Sequence, residues 1–100
     1  MDPSRHEWLE LSSDIFKALS HPARFELLQN LSDGPRCICD MAGPLGLAPS
    51  LAAKYVAQLR QAGLIEMERK GARIEYRLVT PCVLELAECA VKAVLANRKS

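Results

Sequence analysis

Two cysteines stand two residues apart in Cys37-Ile38-Cys39-Asp40. A thiolate binds soft metal ions and metalloids, exchanges with disulfides and can be oxidised stepwise. In a continuous helix, residues i and i+2 point to different sides. At a helix start the first residue is still extended, so both sulfurs can turn toward one ion. The partial positive charge of that end also favours an ionised thiol. Trigonal As(III) and Sb(III) need three thiolates, and Cd(II) and Pb(II) favour sulfur-rich shells. The pair is one ligand short of such a shell. The candidates for the third are Cys82 or Cys89, from the same chain or a partner, and a small external thiol. Cys82 and Cys89 are seven residues apart. That is about 10.5 Å along a helix, too far for one ion on one straight helix. Each reads first as a small apolar packing residue, because free cysteine is commonly buried. Redox chemistry is the alternative, since oxidation or persulfide bridging among four thiols would distort the same region. Histidine is scarce: His6 lies near the N-terminus and His21 reads as a helix cap. The last helix offers Glu85 and Glu88 but no histidine, which does not support a nitrogen-rich zinc site there.

The elements that must position these thiols can be read from period and punctuation. Trp8, Leu11, Ile15 and Leu19 fall at helical spacing. Ser20 and Pro22 end that run, and Ser20 or His21 can cap a second helix with Pro22 at its first position. Phe25, Leu28 and Leu31 give this helix an apolar face, and Asp33-Gly34-Pro35 ends it. A short third helix covers Ile38 to Ala42, followed by a broken connection through Gly43, Pro44 and Gly46. Pro49 opens a fourth helix, about residues 49 to 62, carrying Leu51, Ala52, Tyr55, Val56 and Leu59. Gly63 is placed to end it in the left-handed conformation. The period then changes. Ile74, Tyr76 and Leu78 alternate with Arg73, Glu75 and Arg77, a half-buried strand with one wet face. With the run from Leu64 it forms a hairpin, about residues 64 to 79, tipped by Lys70-Gly71-Ala72. A last helix, about residues 82 to 98, shows a stripe of Cys82, Leu86, Cys89, Ala93 and Val94 or Leu95. The predicted fold is mainly α with a small β-hairpin: a winged helix-turn-helix with flanking N- and C-terminal helices.

One hundred residues make one domain, 1 to 100, with a modest core that dimerisation would enlarge. No apolar run approaches the roughly 20 residues that span a bilayer, and no apolar signal region opens the chain. The expectation is a cytoplasmic protein with no membrane partner, where four cysteines stay reduced. The net charge of +1 conceals an asymmetry. Residues 1 to 33 carry three basic and six acidic groups, whereas residues 51 to 80 carry six basic and three acidic. A basic half of this kind suits nucleic acid, because phosphate contacts supply most non-specific affinity. Nothing supports an enzyme. There is no Gly-rich phosphate loop, no metal-hydrolase motif, no nucleophile–base pair and no Cys-x-x-Cys in a strand–helix context.

Phe16-Lys17-Ala18-Leu19-Ser20-His21-Pro22-Ala23-Arg24 resembles the opening signature of the ArsR/SmtB family of bacterial winged-helix repressors. Cys37-Ile38-Cys39-Asp40-Met41-Ala42 is similar to the cysteine motif of that family's third helix. Leu47 to Ile65 resembles its recognition helix, and Gly71 to Leu78 its wing. The likeness covers about residues 10 to 80. Ala48, Pro49 and Ala53 depart from it, standing where polar capping and contact residues are common. The resemblance implies a homodimer that binds double-stranded operator DNA and releases it when a metal, metalloid or other signal binds. It implies no permanent cofactor, and an inducer such as As(III), Sb(III), Cd(II) or Pb(II), giving an arsenic or heavy-metal response. In a helix-turn-helix the early recognition helix faces the major groove. That makes Ser50, Lys54 and Tyr55 the first DNA-contact candidates and Gln58 a weaker one. Arg69, Lys70 and Arg73 of the wing could reach the backbone or a neighbouring minor groove. Tyr55 could equally pack, and the wing cations could serve only solubility. The dimer interface would use Trp8, Leu11 and the Cys82 to Val94 face.

Overall fold

Capping residues set where the first two helices begin. In the computed structural model, which describes residues 2–99, Ser4 accepts a hydrogen bond from the Glu7 N–H at 3.1 Å and starts α1 (Arg5–Leu19). The Ser20 hydroxyl donates to the Lys17 carbonyl at 2.7 Å and closes it. Of the two capping candidates for α2 (Pro22–Asn30), His21 fills the role. Its Nδ1 accepts from the Ala23 N–H at 3.1 Å, with Pro22 at the first helical turn. Helix α3 (Ile38–Ala42) is a single short turn-and-a-half, and a tight turn returns Leu47 N–H to the Ala42 carbonyl at 3.0 Å. Helix α4 (Pro49–Gln61) starts without a side-chain cap, because Ala48 has no oxygen to offer. Pro49 lessens the need, since it lacks one of the N–H groups a cap would satisfy. Gly63 (φ 81) ends α4 in the left-handed region, and Leu64 N–H returns to the Leu59 carbonyl at 3.1 Å.

Strands β1 (Ile65–Lys70) and β2 (Arg73–Leu78) pair antiparallel from Ile65↔Leu78 to Lys70↔Arg73. Gly71 (φ 64) takes the first position of the two-residue turn, as a type II′ hairpin requires. Helix α5 (Pro81–Arg98) closes the described chain. The arrangement is the winged helix-turn-helix expected from the period changes.

One core holds these elements together. Leu27 and Leu28 of α2, Met41 of α3, Val56 and Leu59 of α4 and Leu64 are fully buried. Ala52, Val56 and Leu59 form one stripe of α4, which points that helix inward on one side and leaves the opposite side to solvent.

Three expectations are corrected. Leu27 rather than Phe25 completes the buried face of α2, while Phe25 is half-buried. The strand alternation fails at the hairpin tip, where Ile74 is exposed and Glu75 half-buried. Ile74 is not packed against the core cluster, while Lys70 and Arg73 hold Glu75 from both sides. Helix α5 turns Val83 and Leu84 toward the core, so the stripe through Cys82, Leu86 and Cys89 is exposed. The two cysteines are therefore not core packing in the single chain.

Candidate nucleic-acid interface and thiol pair

The solvent side of α4 is built from what its buried stripe excludes. Ser50, Ala53, Lys54 and Ala57 are exposed and follow helical spacing. Among the described residues, no side-chain partner engages Ser50 or Lys54, so both are available to an incoming group. Ala53 and Ala57 beside them are small, which lets the helix backbone approach a groove closely. Ala53 stood out in the sequence only as a departure from the family pattern and Ala57 was not singled out, although their spacing opposite Ala52, Val56 and Leu59 marks the same face.

The other two candidates on α4 have partners inside the molecule. The Tyr55 hydroxyl lies 3.3 Å from His21 Nε2, and the rings sit 5.0 Å apart. Because His21 Nδ1 accepts from a backbone N–H, its Nε2 carries the proton when the ring is neutral and donates to the Tyr55 oxygen. Gln58 is half-buried, and its carbonyl oxygen accepts from Arg24 Nη1 at 2.7 Å. Arg24 also donates to the Ala18 carbonyl at 2.8 Å and the Lys17 carbonyl at 3.0 Å. One guanidinium thus closes the end of α1 and holds α4 against it. Gln58 lies one turn beyond Lys54, but Arg24 draws its side chain toward the α1–α4 crevice rather than the open face.

At the wing the cations are divided. Arg69 is exposed and has no ion-pair partner among the described residues. Lys70 reaches Glu75 at 3.7 Å. Arg73 pairs with Glu75 at 3.3 Å and with Asp40 of α3 at 2.8 Å. Arg77 pairs with Glu66 and, at 2.9 Å, with Glu68. Much of the positive charge read from the sequence is therefore neutralised locally.

Cys37 is the N-cap of α3, in extended conformation (ψ 163), and its thiol makes no capping bond. It is half-buried, Cys39 is exposed, and Arg73 Nη2 donates to the Cys37 sulfur at 3.7 Å. Cys82 and Cys89 are free and exposed on α5. No three His, Cys, Asp or Glu side chains among the described residues are grouped to hold a metal ion. A three-thiolate shell needs a ligand from outside this set.

A large apolar surface borders the site's supporting elements. Trp8, Leu11 and Phe16 on α1, and Leu86, Val91 and Val94 on α5, are about half exposed or more. Phe25, Leu84, Ala87 and Val91 line a groove of about 600 Å³ between α2 and α5. Large apolar side chains left exposed in this number mark a surface for association. No described helix is long and apolar enough to cross a membrane.

The model of the family described as "Bacterial regulatory protein, arsR family" matches residues 21–67. An uncharacterized HTH-type transcriptional regulator of Mycobacterium tuberculosis, Rv0081, is 31% identical over 93 residues, spanning 89% of this chain and 82% of the relative. The arsenic resistance transcriptional regulator ArsR1 of Pseudomonas putida is 31% identical over 87 residues, spanning 85% of this chain and 67% of the relative. The crystal structure of Rv0081 superposes with a TM-score of 0.77 at 29% identity, covering 100% of both chains. The solution structure of a homodimeric winged helix-turn-helix DNA-binding domain, Mb0332 of Mycobacterium bovis, superposes with a TM-score of 0.77 at 26% identity, covering 99% of this chain and 90% of the other.

Proposed function

Because the chain belongs to the arsR family of bacterial regulatory proteins, we propose that it is a homodimeric, cytoplasmic repressor that releases operator DNA when a thiol-reactive inducer binds. The family is one of transcriptional regulators, so the chain is a regulator and not an enzyme. The observation that carries the DNA-binding half is the open face of α4. Among the described residues, Ser50 and Lys54 have no side-chain partner on the side of the recognition helix opposite its buried stripe, and Arg69 on the wing has no ion-pair partner. Lys54 can pair with phosphate or with guanine acceptors, and Ser50 can donate to either phosphate or base. Lys70 and Arg73 would have to exchange a carboxylate for a phosphate to contribute. Tyr55 and Gln58 act mainly by positioning α4, through His21 and Arg24.

The inducer half rests on Cys37 and Cys39. The extended backbone at Cys37 is the conformation in which an i, i+2 pair can serve one ion. As(III), Sb(III), Cd(II) or Pb(II) would take its further sulfur from a small external thiol or from Cys82 or Cys89 of a second copy. The relative named for arsenic resistance points the same way. Each thiol that joins the ion gives its proton to water. The exposure of Cys39, Cys82 and Cys89 favours a second reading, in which an oxidant or a reactive sulfur species is the signal.

A mobility-shift assay with DNA from the chain's own promoter region separates these readings. Release by As(III) or Cd(II) alone supports the metal sensor, and release by oxidant or polysulfide alone supports the redox sensor. No response to any of them sinks both and leaves a ligand-independent DNA-binding protein.

A further inference from the structure

The start of α3 is fastened to the wing twice. Arg36, the residue before Cys37, forms an isolated antiparallel bridge with Tyr76 of β2: Arg36 N–H to the Tyr76 carbonyl at 3.1 Å and Tyr76 N–H to the Arg36 carbonyl at 2.8 Å. Arg73, the first residue of β2, spans the same junction with its side chain. Its Nη2 lies 2.8 Å from Asp40 Oδ2 and 3.7 Å from the Cys37 sulfur, and its Nε reaches Glu75 at 3.3 Å. One guanidinium nitrogen therefore serves both the half-buried thiol and the α3 carboxylate.

We propose that Arg73 is the joint that carries the chemical state of Cys37 into the wing. This rests on the reading of Cys37 as a sensing thiol. Anything attached to the sulfur competes with Arg73 for the same space. A bound cation also repels the guanidinium, which then leaves Asp40. With Arg73 displaced, the tip end of β2 loses its side-chain tie to α3, and the wing cations redistribute around Glu75. Arg73 is a positioning residue in this scheme. Arg73 and Asp40 side chains are 56% and 51% exposed. Exposed pairs add little to stability, so removing this one leaves the fold intact and isolates the coupling.

The test uses the full chain carrying Cys39→Ser, Cys82→Ser and Cys89→Ser, so that Cys37 alone remains. Iodoacetamide alkylates it: an S–C bond forms, the C–I bond breaks, iodide leaves and the thiol proton passes to water. Backbone amide exchange of β1 and β2 is then compared before and after. Alkylation speeds wing exchange by about threefold or more, a local opening rather than global unfolding. Unmodified Arg73→Gln and Asp40→Asn proteins already exchange at that faster rate, and alkylating them adds nothing further. The joint is overturned if alkylation leaves the wing unchanged, or if it speeds exchange equally with and without Arg73. Circular dichroism identifies a variant that has failed to fold, in which case the Asp40→Asn protein decides. Failure of the sensor reading shows elsewhere, as promoter DNA that Cd(II), As(III) and oxidant all fail to release.

Discussion

At the scale of residues, side chains divide by whether the protein already uses them. Among the described residues Lys54 and Arg69 have no ion-pair partner, whereas Lys70, Arg73 and Arg77 hold carboxylates. Lys54→Ala should therefore weaken promoter binding and flatten its salt dependence, lowering the log–log slope by about one unit. Fluorescence anisotropy across a salt titration measures this, and an unchanged slope removes Lys54 from the interface. Arg77→Ala should cost little DNA affinity, because its charge is spent on Glu66 and Glu68. Histidine 21 does two jobs, capping α2 and orienting the Tyr55 hydroxyl. His21→Ala should destabilise the fold by about 1 kcal/mol through the lost cap, read as a lower urea midpoint with unchanged m. Residue types were legible from the beginning: the thiol pair, Lys54 and the wing cations all stand out in the sequence. Their partners were not, since Asp40 lies 33 positions from Arg73 and Arg24 lies 34 from Gln58.

At the scale of elements, the joint between α4 and β1 sets how the fourth helix meets the hairpin. Gly63 adopts φ 81 there, where a Cβ has open space but a strained backbone. Gly63→Ala should cost about 1 kcal/mol or slightly more, from the left-handed conformation alone. The cost appears in equilibrium unfolding. A larger fall in DNA affinity than in stability would show that the angle between recognition helix and wing has shifted. Leu59→Ala, at a fully buried position of α4, should cost about 2–5 kcal/mol. Helical spacing, proline positions and glycine stops located these elements, because each leaves a local mark on the chain. The hairpin tip was misread as half-buried because alternation signals a face, not what lies against it. Ile74 has the right period but lies outside the core cluster.

At the scale of the whole molecule, the single chain is unfinished. Trp8, Leu11, Leu86, Val91 and Val94 lie outside its core. A second copy covering α1 and α5 would bury them, and would bring α5 cysteines from another chain into the problem of the missing ligand. Leu86→Asp should yield monomers that bind promoter DNA weakly, checked by sedimentation. A dimer that survives this change excludes that part of α5 from the interface. The sequence by itself determined the fold class, the family and the chemical vocabulary of thiols and cations. Those follow from local periodicity, turn residues and side-chain type, which are properties of short stretches. Only the tertiary structure decided which α5 residues face inward, which wing charges are already neutralised, and that Cys37 touches Arg73. Those depend on how helices rotate and pack against one another, and on pairs far apart in the chain that no local pattern encodes.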